Sequence, residues 1–296
     1  MVTADLAGLR DQSPDGWTRE FHVTIAVTDP AFWKTQVANI EQALAFLTTD
    51  RWQLRFVEGG IMPAPPRKPT RPDEDCIILL SGGLDSLVGA IDLASAGKKP
   101  FAISQTVRGD AEKQVNFAKK VGRGLRHLQL NHNAYAPGTE EASQRARSII
   151  FLAYGVLAAT TLARHHDGET VPFYVCENGF IAVNPLPTGA RIGSLSTRTA
   201  HPVFLKQVQQ IIDAAGLRVR IEPLSAHDKG RDARPLCRPD SPQSRGLSID
   251  KLRAVSEVQL QALRSVRAVT VHLPWVRQVP GGSLAVRLSG HTRRFL

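Results

Sequence analysis

The residues with the clearest chemical potential form a short run at 81–86, called here the glycine loop. It consists of Ser81, Gly82, Gly83, Leu84, Asp85 and Ser86, between the apolar stretches 77–80 and 87–91. Two adjacent glycines let the backbone approach an anion closely and adopt positive φ. Backbone N–H groups and the dipole at the start of a helix hold phosphate oxygens. The sequence therefore predicts a phosphate-binding turn between a strand and a helix.

The polar side chains of the glycine loop each have an expected role. We expect Ser81 and Ser86 to donate their hydroxyls to a phosphate. Asp85 repels bare phosphate, so we expect it to help hold the Mg²⁺ that neutralises a pyrophosphate group. The alternative is a strand-to-helix turn in which Asp85 and Ser86 only cap the helix. Six matching positions between a strand and a helix favour the nucleotide interpretation.

Ser-Gly-Gly-x-Asp-Ser after a strand resembles the signature of the N-type ATP pyrophosphatases, the PP-loop family. The resemblance implies a Rossmann-like fold of the adenine nucleotide alpha hydrolase type, with ATP and Mg²⁺ as cofactors. It also implies that a substrate oxygen attacks the α-phosphate and that pyrophosphate leaves. No Gly-Lys followed by Ser or Thr is present here, so the loop does not resemble a Walker P-loop.

Within that superfamily the chain most resembles the 7-cyano-7-deazaguanine synthase (QueC) family, over about residues 20–227. The stretch 146–152, Ala-Arg-Ser-Ile-Ile-Phe-Leu, is similar to the family's Arg-Asn-x-x-Phe-Leu, with Ser148 where the family has Asn. This similarity implies that Arg147 faces the nucleotide. The stretches 176–185 and 191–202 resemble the QueC-like proteins of the Qat anti-phage system more than the housekeeping synthases.

The resemblance implies an ATP-dependent ligase that acts on a 7-deazapurine-type carboxylate or amide. In the housekeeping enzymes it implies conversion of 7-carboxy-7-deazaguanine to the nitrile, as in queuosine biosynthesis. In a defence relative, the acceptor would instead be a protein or a nucleic acid, with protein partners from a defence operon. Two alternatives stay open: another adenylating PP-loop enzyme, such as a tRNA-modifying or amidotransferase-like protein, and a nucleotide-binding subunit or inactive relative without turnover.

Three polar residues follow the predicted strand 171–176, at the edge of the sheet where open α/β proteins place substrate groups. They are Glu177, Asn178 and Asn184. An Asn can read the edge of a purine-like base, and a Glu can pair with a ring N–H. We assign Glu177 a catalytic role and the two asparagines substrate binding. The alternative is ordinary turn chemistry, because Asn-Gly is a strong turn dipeptide.

Two arginines, Arg191 and Arg198, lie in a Gly/Ser/Thr-rich loop too long for a simple connection. They are candidates for binding substrate phosphate or the leaving pyrophosphate, and the alternative is solvated surface charge.

His201 precedes Pro202, which favours a loop or N-cap residue. Gln105 and Thr106 end the second predicted strand, where the fold implied by the resemblance binds adenine; the alternative is a simple strand terminus. For Arg147 the alternative is a surface salt bridge.

Strands and helices alternate between residues 75 and 227, which makes this stretch the predicted PP-loop domain. Short apolar runs predict strands at 76–80, 100–105, 125–130, 171–176 and 218–222. Amphipathic runs predict helices at 85–96, 111–121, 143–164 and 202–215. This alternation is typical of an α/β protein with a doubly wound parallel sheet.

A smaller unit is predicted at residues 1–66. Strand-like alternation occurs at 21–27 and 52–57, and Asp29 followed by Pro30 predicts the start of a helix between them. The result is a β-α-β unit, which is absent from housekeeping QueC. Five prolines within 62–72 exclude a packed helix or central strand and predict a linker at 67–74.

Charge and composition limit the classes of protein to which this chain can belong. The chain has 296 residues and a net charge of +10, and 42% of its residues are hydrophobic. No apolar run approaches the ~20 residues of a membrane helix, and the first residues lack a signal-peptide pattern, so we expect a cytoplasmic protein. Residues 228–296 hold 13 Lys and Arg against 5 Asp and Glu, so most of the excess charge lies there. Nucleic-acid binding stays unproven.

The tail at 228–296 is basic and irregular, with one helix predicted at 248–266. The resemblance implies a zinc site of closely spaced cysteines at this end. The chain has Cys76, Cys176 and Cys237, far apart, so we expect no zinc site. A frameshift is one hypothesis: a reading frame one nucleotide later turns Leu273-Pro274, Val276-Arg277 and Val279-Pro280 into three cysteines spaced three apart, if the first codons end in TG. A genuine basic domain is the alternative.

Overall fold

The computed structural model describes residues 1–62, 69–106, 109–132, 134–136, 138–142, 145–177, 198–225, 269–272 and 285–286. The chain divides into two compact units. The first comprises Met1–Pro69, Ala134–Ala146 and Ile249–Leu296, and the second comprises Thr70–Asn133 and Arg147–Ser248. Each unit contains its own sheet.

The first unit contains the two parallel strands that the sequence predicted, but the single predicted helix between them is two helices, separated at Gln36. Strands β1 and β2 pair in parallel, from Glu20 opposite Arg51 to Val27 opposite Glu58. Asp29 accepts a hydrogen bond from the Phe32 N–H at 3.0 Å, which confirms it as the N-cap. The elements in order are α1 (Val2–Ala7), a 3₁₀ turn (Arg10–Gln12), β1 (Glu20–Val27), α2 (Pro30–Thr35), α3 (Val37–Thr48) and β2 (Arg51–Glu58).

The core of this unit lies between α3 and the sheet. Helix spacing buries Ile40, Leu44 and Leu47 on one face of α3. Strand alternation buries every second residue of β2. The Phe21 and Trp52 rings face each other across the two strands with centroids 4.4 Å apart.

A buried ionic network fixes the N-terminal segment, for which the sequence predicted no element. Arg19 is completely buried, and its guanidinium bridges Asp5 at 2.5 Å and Asp50 at 2.6 Å. The same guanidinium donates to the Asp5 and Gly8 carbonyls at 2.8 Å. Arg10 adds a second ion pair to Asp50 at 3.0 Å. Replacing one member of this network would destabilise the fold, because the remaining buried charge would have lost its partner.

Two short strands of the tail extend this sheet to the order β2-β1-β8-β9. Strand β8 (Val269–His272) pairs antiparallel with β1, and β9 (Ala285–Val286) pairs with β8. The sequence predicted no strand in the tail, although 269–271 alternate apolar and polar residues. The predicted helix at 248–266 lies outside the described residues, as do Cys237 and part of the predicted linker.

The second unit is an α/β domain with a parallel sheet in the order β5-β4-β3-β6-β7. All five predicted strands are confirmed, with ends shifted by at most three residues. They are β3 (Cys76–Leu79), β4 (Pro100–Gln105), β5 (Arg126–Leu130), β6 (Val171–Glu177) and β7 (Val219–Ser225). Every neighbouring pair is parallel.

The helices between these strands match the prediction except for one. The long helix expected at 143–164 begins only at Arg147 and ends at Ala159. Thr160 and Thr161 follow, and their hydroxyls donate to carbonyls three residues earlier at 2.8 and 2.7 Å. Such bonds compete with helix continuation. The helices are α4 (Leu84–Ser95), α5 (Ala111–Lys120), α6 (Arg147–Ala159), α7 (Ala163–His166) and α8 (Pro202–Ala214), with a 3₁₀ turn at Arg198–Ala200.

Helices cover the two faces of the central strand β3. Cys76, Ile78 and Leu80 belong to one buried cluster with residues of α4 and α5. Ile77 points to the opposite face and lies in register with Phe173, which packs against Gly155 of α6. Within the described ranges, no helix is both long and apolar enough to span a bilayer.

Candidate functional site

The strand order of the second unit places the glycine loop next to the central strand β3. From β3 the chain proceeds outward to β4 and β5, and it then crosses to the other side of β3 to form β6 and β7. The strand order therefore reverses at β3. Open parallel sheets bind ligands beyond the carboxyl ends of their strands at such a reversal. The glycine loop follows the carboxyl end of β3 directly.

The backbone of the glycine loop has the expected turn. Gly82 has φ +93°, a conformation that side chains other than hydrogen rarely allow. Gly83 is the N-cap of α4, and Leu84 begins the helix. Backbone N–H groups at the start of α4 therefore have no partner within the helix. Ser81 and Gly83 are exposed, so the loop is open to a ligand.

The serine hydroxyls bind within the glycine loop, which differs from the expectation that both face a phosphate. Ser86 is buried and donates to the Gly83 carbonyl at 2.8 Å. Ser81 Oγ lies 3.1 Å from Ser86 Oγ and accepts from the Gly83 N–H at 3.3 Å. In this arrangement the hydroxyls stabilise the turn, and the exposed Ser81 is the one that can reach a ligand.

Asp85 lies in the first turn of α4, where a carboxylate interacts favourably with the helix dipole. The residue as a whole is partly exposed beside the loop, and its Oδ1 atom is buried. A single carboxylate at this position fits Mg²⁺ brought by a nucleotide, since Mg²⁺ on phosphates needs only one or two protein carboxylates. Leu84, the neighbouring residue, is 59% exposed although it is apolar.

Close packing beneath the loop explains Gly89, whereas Gly82 is required by its positive φ. A Cβ on Gly82 would lie 3.4 Å from Gln114 Cγ and 3.5 Å from Asp110 Cβ. A Cβ on Gly89 would overlap the Cys176 sulfur. The missing side chain of Gly89 lets α4 rest on the end of β6.

Two glutamines connect the loop to the neighbouring strands, and we call their side chains the glutamine bridge. Gln114 of α5 is completely buried, and its Nε2 donates to the Ser81 carbonyl at 3.1 Å and the Gln105 carbonyl at 3.0 Å. Gln129 of β5 donates from Nε2 to Gln114 Oε1 at 2.9 Å and to the Ala111 carbonyl at 2.8 Å. These four bonds join the ends of β3 and β4 to α5 and β5.

A second polar contact lies under the same loop. Ser104 donates to the Leu80 carbonyl at 2.5 Å, and its oxygen lies 2.8 Å from His127 Nε2. Because the serine proton is already used, His127 must be the donor, which selects the Nε2–H tautomer. Burial lowers the pKa of His127 to about 4. His127 is therefore neutral at pH 7.

The other residues predicted to bind the nucleotide or to act in catalysis lie at the ends of β4 and β6 and at the start of α6. Gln105 is buried at the end of β4, and the Thr106 N–H donates to the Leu130 carbonyl at 2.8 Å. Arg147 is exposed at the first position of α6. Burial of His132 lowers the pKa of that histidine, and the positive charge of Arg147 lowers it further. Glu177 is the last residue of β6, in register with Ser225.

Arg198 and His201 lie around the start of α8. Arg198 begins the 3₁₀ turn and is partly buried, which lowers its pKa. His201 Nδ1 accepts from the Val203 N–H at 3.2 Å, so the N-cap interpretation is confirmed. Burial and the nearby Arg198 lower the pKa of His201. The substrate-binding candidates Asn178, Asn184 and Arg191 lie outside the described residues.

Neither a metal-ligand group nor a known relative assigns a function to the loop. Within the described part of the chain, no group of three His, Cys, Asp or Glu side chains is arranged to hold a metal ion. No protein-family model matches the sequence, and no curated protein matches it. The case for function therefore depends on the residues themselves.

The sequence analysis missed the glutamine bridge and the Ser104–His127 contact. A signal was present for Gln114, since it lies four residues before Ala118 and seven before Val121, both buried. A polar residue on the buried face of a helix needs a hydrogen-bond partner. Chemically, the assembled loop can hold an anion on exposed backbone N–H groups and can hold a cation beside it at Asp85.

Proposed function

We propose that this chain is an ATP-dependent enzyme of the QueC-like PP-loop type, with a Rossmann-like nucleotide domain. It adenylates a 7-deazapurine-type carboxylate or amide and releases pyrophosphate, in a cytoplasmic role in anti-phage defence. The observation that carries the proposal is the position of Ser-Gly-Gly-Leu-Asp-Ser. A loop with this sequence lies at the carboxyl end of the central parallel strand, where the strand order reverses, with Gly82 at φ +93°.

The proposed chemistry follows from the groups at the loop. The β- and γ-phosphates would bind the N–H groups at the start of α4, and Asp85 would help hold Mg²⁺, which would neutralise their charge. A carboxylate oxygen of the substrate attacks the α-phosphorus, the bond from the α-phosphorus to the bridging oxygen breaks, and pyrophosphate leaves. A nucleophile such as ammonia then displaces AMP from the acyl adenylate. The protein accelerates the reaction by positioning the reacting groups and by stabilising the charge that develops on the phosphates.

The remaining candidates have roles consistent with their places. Arg147 stabilises the developing charge on the phosphates. Glu177, at the end of β6, supplies the carboxylate next to the substrate. Arg198 binds substrate, together with the three candidates outside the described residues.

The first experiment measures binding and turnover with purified protein. We expect MgATP to bind, and we expect pyrophosphate release when 7-carboxy-7-deazaguanine and ammonia are added. Asp85→Ala should abolish turnover, because the Mg²⁺ ligand is lost. Asp92→Ala, on an exposed position of the same helix, should leave turnover unchanged.

The outcomes separate the possible functions. Binding of ATP without turnover on any acceptor would indicate a nucleotide-binding subunit. Pyrophosphate release that requires a tRNA, and not a deazapurine, would indicate another adenylating enzyme. Transfer of label from α-³²P-ATP to a partner protein would support the defence role. A folded chain without affinity for ATP would contradict the whole proposal.

A further inference from the structure

We propose that Gln114 and Gln129 are positioning residues that hold the glycine loop in its anion-binding shape. This inference deepens the proposed function, because it depends on the glycine loop being the nucleotide site. It starts from the glutamine bridge, whose four hydrogen bonds are 2.8–3.1 Å long.

The donors and acceptors of the bridge leave one orientation for the Gln114 amide. A glutamine has two N–H donors and one carbonyl oxygen. Both donors of Gln114 point to main-chain carbonyls, those of Ser81 and Gln105. Its oxygen accepts from Gln129, whose remaining donor goes to the Ala111 carbonyl. A flipped amide would place an oxygen against two carbonyls, so Gln129 fixes the direction of the Gln114 donors.

The contact with Ser81 is the one that matters for the loop. Ser81 is the first loop residue, and a bond to its carbonyl fixes the peptide that leads into Gly82. The Gln114 side chain also lies directly under Gly82, where a Cβ would come within 3.4 Å of Gln114 Cγ. Gln114 thus holds the loop by a hydrogen bond to the Ser81 carbonyl and limits the space for a side chain at Gly82. The phosphate-facing side of the loop stays free.

Gln114, the centre of the bridge, is buried, whereas Gln129 is partly exposed. Gln114 has no exposed surface. In such surroundings a hydrogen bond is less weakened by water, and a carbonyl left without a donor is unfavourable. Loss of the Gln114 donors would release the Ser81 carbonyl and let the loop sample other conformations. A smaller fraction of the molecules would then have the loop in the conformation that binds phosphate.

The test compares Gln114→Met with a matched control elsewhere in the same unit. Methionine keeps the length and volume of the side chain but removes the amide. Gln209→Met is the control, since Gln209 of α8 also bonds main-chain groups, the Val219 carbonyl at 2.9 Å and the Ile221 N–H at 2.8 Å. Gln129→Met is a second, milder variant, because it leaves the Gln114 donors in place.

Calorimetry with α,β-methylene-ATP and Mg²⁺ gives the first measurement. We expect Gln114→Met to weaken binding about tenfold, the effect of about one lost buried hydrogen bond. Gln129→Met should weaken binding less, and Gln209→Met should stay within about twofold of the unmodified chain. Equal affinities for Gln114→Met and the unmodified chain, or equal losses for Gln114→Met and Gln209→Met, would overturn the positioning role.

Hydrogen exchange of the nucleotide-free protein gives the second measurement and does not depend on ATP. Gln114→Met should speed exchange of the amides at 82–86, and Gln209→Met should not. If the unmodified chain binds no ATP, the proposed function fails, while this exchange difference still decides whether Gln114 holds the loop. Unchanged exchange at 82–86 in Gln114→Met would refute the positioning role by itself.

Discussion

At the scale of single residues, the glycine loop depends on the left-handed conformation of Gly82. Gly82→Ala should destabilise the second unit by about 1–2 kcal/mol, since a Cβ is strained at this φ. The new methyl group would meet Gln114 and Asp110 only at ordinary contact distance, so the φ strain alone would shift the loop backbone, and we expect ATP affinity to fall sharply. Urea unfolding and calorimetry measure the two effects.

Gly168 provides the matched control for this substitution. Its φ is +88°, and a Cβ there would meet nothing within 4 Å. Gly168→Ala should therefore show similar strain but normal ATP affinity. If Gly82→Ala binds ATP as well as Gly168→Ala does, the loop shape is not what recognises the nucleotide.

His127 should make stability depend on pH. Burial lowers its folded pKa to about 4, whereas an unfolded histidine titrates near its ordinary value of 6.5. Above pH 6.5 both states are neutral and the stability is fully present. As the pH falls from 6.5 to 4, the unfolded state takes up the proton first, so stability declines by about 3 kcal/mol.

Unfolding curves between pH 4 and 8 measure this effect. His127→Gln should flatten the decline below pH 6.5, and His166→Gln, at an exposed histidine, should leave it unchanged. An equally steep decline in His127→Gln would mean that other groups cause it.

At the scale of elements, α6 approaches the sheet closely at Gly155. A Cβ on Gly155 would overlap the buried Phe173 ring of β6. Gly155→Ala should destabilise the protein by about 2 kcal/mol through overpacking, even though alanine favours helices. Phe173→Leu should relieve the overlap, so the two changes together should cost less than their sum. Additive losses in chemical denaturation would argue against this contact.

The strands and helices of the second unit could be predicted because their signals are local. Apolar runs such as 76–80 are bounded by Gly, Pro and Asp, and the periodicity of α8 is strong. The end of α6 was predicted too late, because the helix breaks through side-chain bonds of Thr160 and Thr161 that no periodicity reveals. The strand order, which reverses at β3, depends on which strands pair, and a single sequence does not show that pairing.

Buried polar residues account for most of what the sequence analysis missed at the site and in the first unit. Arg19 and Gln114 belong to residue types that are mostly exposed. Their partners are distant in sequence: Asp50 is 31 residues from Arg19, and Ser81 is 33 residues from Gln114. The glycine loop was predictable because its chemistry lies in six consecutive residues. The support beneath it was not, because it forms only when α5 and β5 come together.

At the scale of the whole molecule, the two units differ in the interactions that stabilise each of them internally. The first contains a network of buried Arg–Asp pairs, and the second has an apolar sheet core with amide bonds under its loop. The net charge is uneven as well, since residues 228–296 carry most of the excess Lys and Arg. The basic composition at 228–296 begins shortly after β7, the last strand of the parallel sheet in the part of the chain that the structure describes.

The last prediction concerns the gene that encodes this tail. Under the frameshift hypothesis, the codons of Leu273, Val276 and Val279 end in TG and are followed by codons that start with C. A frame one nucleotide later then encodes three cysteines spaced three apart, which are soft ligands suited to zinc. DNA sequencing tests the codons directly. A repaired chain should also bind zinc and unfold at higher temperature than the present one, because metal binding adds to folding free energy. Any other base at the third position of these codons would exclude the hypothesis and favour a genuine basic domain.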